Sequence, residues 1–344
     1  MLLEQEAGKR SHSVLHLIFL SLAGVPLLAL AIFRAPALQG EQSSEPILGQ
    51  GSGVDHVGVA VRDLLQAQHD YELLGFKVSQ GGHFPGGIHT SIIHFENGGY
   101  LELVSVKGAQ NDSALGAGII GFVKKHEGAM FLGLNVSSAK ESAKYLRTHN
   151  FDVEVPEPGS LMKEGETKPP PPEWYGFGTA DKPAPNKLTF RIPIFFIEYL
   201  DAFKKVRDQG SANHDNTAVA IRAVWFAVHD LPAQIETLRR GGFDAKPRDA
   251  ELLGVHGRAV SAASGSIVLM ASEDKHSAVS KYLSDHDDGI IALSIEVADL
   301  AKAHQLAETV GHQKPGIYKG AFGQSFLLSP EVTHGVWLEM FQPH

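Results

Sequence analysis

Three side chains in this 344-residue chain have the types and positions to act on a small molecule: His56, Glu102 and Glu198. In the run Asp55 to Val61, strand alternation puts Val57, Val59 and Val61 on one face and His56, Gly58 and Ala60 on the other. The first face suits packing against a helix. The second is a polar side chain followed by two very small residues, as expected of a face that lines a cleft and leaves room for a ligand. Glu102 shares its strand face with Tyr100 and Val104 and is expected to point into the same cleft. Glu198, in Ile-Phe-Phe-Ile-Glu-Tyr-Leu, holds the corresponding place further along the chain. Two carboxylates in one partly buried cleft repel, so they share a proton or hold a cation between them. The chain has no cysteine, so any metal would be bound by nitrogen and oxygen.

The elements that must position these residues repeat four times. A largely apolar strand opens each copy: Asp55 to Val61, Met130 to Val136, Arg222 to Val228 and Ile291 to Val297. A helix follows, capped at its start by Asp63, Ser138, Asp230 or Asp299 and stopped at Gly75, Asn150, Gly242 or Gly311, with the same separation each time. Each copy then closes with two apolar strands: Thr90 to Phe95 with Tyr100 to Val106, Leu188 to Ile192 with Phe195 to Leu200, Arg258 to Ala262 with Ser266 to Ala271, and Ser325 to Leu328 with Gly335 to Phe341. Copy two is longer than the others. Its surplus falls around Lys168-Pro-Pro-Pro-Pro-Glu173-Trp174, which reads as an extended proline-rich insertion over 156–186.

Val14 to Phe33 is nearly all apolar, follows Lys9 and Arg10, and is long enough to span a bilayer core. Residues 1–38 read as a signal peptide or an uncleaved membrane anchor, 39–53 as a linker, and the remainder as exported. The net charge of −9 is spread without blocks of like charge, which argues against a nucleic-acid partner. There is no phosphate-binding glycine loop, serine nucleophile elbow or His-Glu-x-x-His zinc helix.

The stretches Asp-His-Val-Gly-Val-Ala-Val-Arg-Asp-Leu from Asp55, Leu-Leu-Gly-Phe ending at Phe76, Gly-Gly-Ile-His-Thr-Ser-Ile-Ile-His-Phe ending at Phe95, and Tyr-Leu-Glu-Leu-Val-Ser-Val from Tyr100 resemble the glyoxalase-like domain of the vicinal-oxygen-chelate superfamily. The resemblance implies an α+β fold of four βαβββ modules pairing into two domains, 54–215 and a degenerate 216–344. It also implies a divalent metal (Mn, Fe, Ni, Co or Zn) on His56, Glu102 and Glu198, with Phe131 in the fourth ligand position. His89 and His214 look like positions typical of the glyoxalase-like subgroup, as a further ligand or a proton-transfer group, while His94 falls on the opposite strand face from His89. Ala223, Ala292 and Val268 leave only Glu339 of the ligand set in the second half, which disfavours ring-cleaving oxygenation. The expected activity is a metal-dependent lyase or isomerase acting on a small vicinal-oxygen substrate through Glu102, Glu198 or His89. The alternative is a metal-free, exported small-molecule binding protein on the same fold.

Overall fold

The structure, a computed structural model, describes residues 46–344 apart from 109–112, 164, 167, 181–182, 202, 204–211, 244–245 and 311–313. The apolar segment 14–33 lies outside the described residues, and among these no helix is long and apolar enough to cross a membrane. The described end of the expected linker is packed: Ile47 and Leu48 are buried, and Ser142 Oγ donates to Ile47 O at 2.7 Å.

Four βαβββ units build two eight-stranded sheets. The first half contains β1 (Gly53–Ala60), β2 (Ser79–Phe84), β3 (Ile88–His94), β4 (Tyr100–Val106), β5 (Gly128–Asn135), β6 (Glu157–Gly159), β7 (Trp174–Gly178) and β8 (Ile194–Tyr199), in the order β2-β3-β4-β1-β5-β8-β7-β6. The second contains β9 (Ala218–Ala227), β10 (Arg248–Leu252), β11 (Val255–Ala262), β12 (Gly265–Met270), β13 (Gly289–Val297), β14 (Tyr318–Lys319), β15 (Gln324–Leu328) and β16 (Trp337–Gln342), in the order β10-β11-β12-β9-β13-β16-β15-β14. In each sheet the opening strands of two units meet antiparallel, β1 with β5 and β9 with β13. His83 and Met162 form an isolated bridge that brings the two edges of the first sheet together.

The helices start and stop where their caps require. Asp63 accepts the N–H groups of Leu65 (3.0 Å) and Gln66 (3.1 Å) ahead of α1 (Leu64–Leu73). Ser138 caps α3 (Ala139–Thr148), Asp230 caps α4 (Leu231–Arg240) and Asp299 caps α6 (Leu300–Val310) in the same way. Gly75, Asn150 and Gly242 follow the first three with positive φ, the left-handed stop expected of glycine and asparagine. Gly311 lies outside the described residues. Helices α2 (Ala114–Lys125) and α5 (Ala278–Asp285) lie outside the expected pattern, each after a serine cap in the connection between units.

Copy two departs from expectation. The segment 188–192 makes one bridge to Phe151 and no strand, whereas the supposed insertion holds β6 and β7. The proline run leads directly into β7, whose first residue, Trp174, is buried against Gly159, where a Cβ would collide with the indole. Burial of that indole overrides the loop-like composition before it.

One apolar core lies between the halves and takes in residues of both sheets and of α1, α3, α4 and α6; each concave sheet face has its own smaller cluster. The halves are also pinned by His334, in the connection before β16. Its Nε2 lies 3.1 Å from Asp70 and its Nδ1 3.0 Å from Glu127, both in the first half, while Tyr71 donates to Thr333 O at 3.0 Å. Replacing His334 by alanine leaves two partly buried carboxylates without this partner. His334→Ala is expected to lower unfolding free energy by about 2 kcal/mol, read as a lower urea midpoint.

Candidate functional site

The concave face of the first sheet carries a buried polar group in an apolar lining. His56 and Glu102 are both 0% exposed, and His56 Nε2 lies 3.9 Å from Glu102 Oε2. Pairing explains their meeting: β1 runs parallel to β4, with His56 beside Tyr100 and Gly58 beside Glu102, so both side chains rise from one face. Tyr100 stacks on the imidazole with centroids 4.4 Å apart at 7°. Gly133 on β5 passes beneath, where a Cβ would lie 2.6 Å from His56 Cε1. Small residues at this face make room for the ring itself.

Asp55 orients the imidazole. The β1–β5 register slips between Val54 and His56, so Asp55 is a bulge residue whose side chain can turn toward the same face as His56. Asp55 Oδ2 lies 2.7 Å from His56 Nδ1 and accepts the Tyr199 hydroxyl at 2.8 Å; Tyr199 in turn lies 3.1 Å from the Tyr100 hydroxyl. The proton therefore belongs on Nδ1, leaving Nε2 with its lone pair directed at Glu102. Neither Nε2 nor either Glu102 oxygen has a hydrogen-bond partner among the described residues. Burial pushes the Glu102 carboxyl well above the usual carboxylate range and the Tyr100 phenol well above its ordinary value.

The second half shows the same glutamate position without the loose ends. Glu339 sits beside Ser294 as Glu102 sits beside Gly58. Its carboxyl takes hydroxyl donors from Ser294 and, at 2.9 Å, Tyr318, while Trp225 Nε1 donates to Ser294 at 2.7 Å. Glu339 is a satisfied structural group.

The other residues expected at the site lie elsewhere. Glu198 is on the opposite face of β8, where it accepts the Ala139 N–H at the start of α3 at 2.7 Å. Gly133 pairs with Phe195, so Phe195 holds the place that matches Glu102. Phe195, three residues before Glu198, faces the cleft, and that odd separation turns the single acidic residue of the strand toward α3. His214 Nδ1 accepts the Lys77 N–H at 2.9 Å and its Nε2 donates to His94 O at 2.7 Å, which occupies both ring nitrogens; burial holds its pKa below the ordinary value. His89 stands beside His83 on the face of β3 that carries Ser91, which bonds to Gln68 of α1. The concave face of β3 instead presents Ile88, Thr90, Ile92 and His94, and His94 lies across from Tyr100. Asp55 and Tyr199 escaped sequence reasoning, although acid–histidine adjacency was visible at Asp55-His56.

The arrangement offers two donors to a cation, His56 Nε2 and the Glu102 carboxylate. Phe131 and Phe195 fill the other two positions, their rings edge-on to His56 at 5.9 and 5.3 Å. Among the described residues no group of three or more His, Asp and Glu is placed to hold a metal. The residues present do not make up the four-point metal centre that the resemblance implies.

The sequence model of a family described as "Glyoxalase-like domain" matches residues 54–247. No curated protein matches the chain. Among solved structures, a hypothetical protein from Staphylococcus aureus is similar at 13% identity and a TM-score of 0.54, covering 84% of this chain and 98% of its own. A mutant of 4-hydroxymandelate synthase from Streptomyces coelicolor is similar at 12% identity and a TM-score of 0.53, covering 86% and 93%. A xylose isomerase-like TIM barrel/4-hydroxyphenylpyruvate dioxygenase fusion protein matches at 14% identity and 0.54, covering 90% of this chain and 51% of that one. These likenesses establish the fold.

The raised Glu102 pKa makes a pH-dependent test. The folded protein holds this proton above the pH at which the unfolded chain releases it, so the associated stability is full below the unfolded pKa and is lost as pH rises through the folded pKa. Glutamine keeps the shape and carries no titrating proton. Glu102→Gln is expected to gain stability relative to the parent between pH 5 and pH 8, measured as the difference in urea midpoints in the presence of EDTA.

Proposed function

From the chain's membership of the glyoxalase-like domain family, to which the match over 54–247 assigns it, we propose that it is a lyase or isomerase that binds an oxygen of a small substrate at Glu102, beside the lone pair of His56 Nε2. The carrying observation is that these buried groups face each other with unused hydrogen-bonding capacity, a costly arrangement unless something fills it. Because Nε2 carries a lone pair and no proton, only a hydroxyl oxygen can bond to both groups, donating to Nε2 and accepting from Glu102, whereas a carbonyl oxygen bonds to Glu102 alone. Glu102, kept protonated by burial, donates to the substrate's carbonyl oxygen and stabilises the charge that develops there as the Nε2 lone pair of His56, held by Asp55, takes the proton from the adjacent carbon. The apolar surroundings strengthen both interactions by excluding water.

A second reading, the metal-dependent form, is favoured by one observation. A histidine whose far nitrogen is tied to a carboxylate is the usual way of orienting a metal ligand, and Asp55 does this for His56. His56 Nε2 and the Glu102 carboxylate would then be the two protein donors to Mn, Fe, Ni, Co or Zn, which would polarise a bound substrate oxygen. The domain is further proposed to be exported through segment 14–33, whose retention on membranes after cell fractionation distinguishes an anchor from a cleaved signal.

The purified full chain is to be incubated in D2O with a panel of small α-hydroxy ketones and α-hydroxy acids, alongside elemental analysis. Deuterium at the α-carbon, reduced about 100-fold or more in His56→Ala and Glu102→Gln, supports proton transfer at this pair. Near-stoichiometric metal that disappears in His56→Ala/Glu102→Ala favours the metal-dependent form. Saturable binding without exchange or metal overturns both and leaves the binding protein.

A further inference from the structure

A cavity of about 690 Å³ lies at the seam between the two halves and shares two walls, Phe131 and Phe195, with the surroundings of His56. Its walls include the last turns of α2 and α5 with the residues that follow them, together with Phe131 and Phe195. Four rings form a continuous ladder across the seam. Phe122 meets His126 at 4.2 Å between centroids, His126 meets His286 at 3.9 Å, and His286 stacks on Tyr282 at 4.2 Å and 10°. His126 Nδ1 lies 3.2 Å from Glu127 O, and His286 Nδ1 lies 2.6 Å from Tyr282 O, so each ring has a fixed orientation. Burial, followed by the presence of His286, holds the His126 pKa below its ordinary value and keeps that imidazole neutral.

The field at this cavity is negative from two independent sources. Two helices end on it, and their C-terminal carbonyls contribute partial negative charge, reduced at α2 by Arg62, whose Nε donates to Val123 O at 2.9 Å, and at α5 by the His286 bond to Tyr282 O. Asp285, Asp287 and Asp288 add carboxylates from the second half, against Lys125 as the basic side chain among the lining residues. Asp288 is engaged by His229, through its backbone N–H at 2.8 Å and its Nδ1 at 2.7 Å, and by Gln234 Nε2 at 3.0 Å. Asp285 and Asp287 are exposed at the mouth. Burial and these neighbouring carboxylates also push the Tyr282 phenol far above its ordinary pKa, so it remains a neutral aromatic surface.

We propose that the seam cavity binds a small organic cation with an apolar body, of which a primary arylalkylamine is the simplest form. The faces of the lining rings carry the negative lobe of their quadrupole and attract an ammonium group. They also accept the apolar body, and the helix ends and mouth carboxylates select against an anion of the same shape. The inference is independent of what His56 and Glu102 hold.

The test is calorimetric titration of the full chain at pH 7.5 with three probes of similar size: 2-phenylethylammonium, 3-phenylpropanoate and 2-phenylethanol. Saturable binding of the ammonium probe, with at least about tenfold preference over the other two, is expected. Asp285→Asn/Asp287→Asn alters exposed side chains and should fold; it is expected to weaken the ammonium probe about 5- to 10-fold, and 0.5 M NaCl should weaken it as well. Phe122→Ala should weaken it and thereby locate the site. Absence of saturation by the ammonium probe, equal binding of the anion or alcohol, or an unchanged affinity in the double Asn variant overturns the proposal.

Discussion

The hydrogen bond between His56 Nδ1 and Asp55 governs what the first half can do. Without it the imidazole could donate or accept at either nitrogen and turn its ring toward Tyr100 in more than one way. With it, the tautomer is set and Nε2 becomes a lone pair held opposite Glu102. The bond exists because β1 carries one extra residue against β5, and the bulge lets consecutive side chains serve one face. Tyr199, from the last strand of the second unit, donates to the same carboxylate, so both units of the first sheet contribute.

Comparison of the two halves shows which buried glutamate is structural. Glu102 and Glu339 occupy matching positions, and burial raises both carboxyls. Around Glu339, hydroxyl groups of Ser294 and Tyr318 supply the donors that burial removed. Glu102 has no such donors among the described residues, and the His56 imidazole lies 3.9 Å away, beyond hydrogen-bond reach. One scaffold therefore contains a relaxed and an unrelaxed version of the same group, and the unrelaxed one has the capacity to respond to a ligand.

Much of the architecture was legible because it depends on local chemistry. The caps at Asp63, Ser138 and Asp230 and the stops at Gly75, Asn150 and Gly242 act within a turn of their own position, and the repeat follows from them. The site was less legible because it depends on registers between distant strands. Glu198 stands three residues from Phe195, and that odd separation reverses its face. His89 and His94 exchange expected roles for the same reason. The strands of copy two were hidden because their stability comes from Trp174 and its fit over Gly159, a contact that proline-rich composition does not announce.

The bridge between His83 and Met162 bears on how crowded molecules of this protein behave toward one another. A sheet edge is a row of unused N–H and C=O groups that invites a strand from another chain. In the first half, His83 and Met162 exchange both bonds, N–H to carbonyl at 3.0 and 3.3 Å, so part of that row is already taken. The second half protects its edges differently: β14 is only two residues long, and β10 presents Arg248, Asp249 and Glu251 to solvent. Colloidal solubility in the two halves thus rests on different devices, backbone self-pairing in one and brevity with charge in the other. High salt should weaken only the charge-based protection.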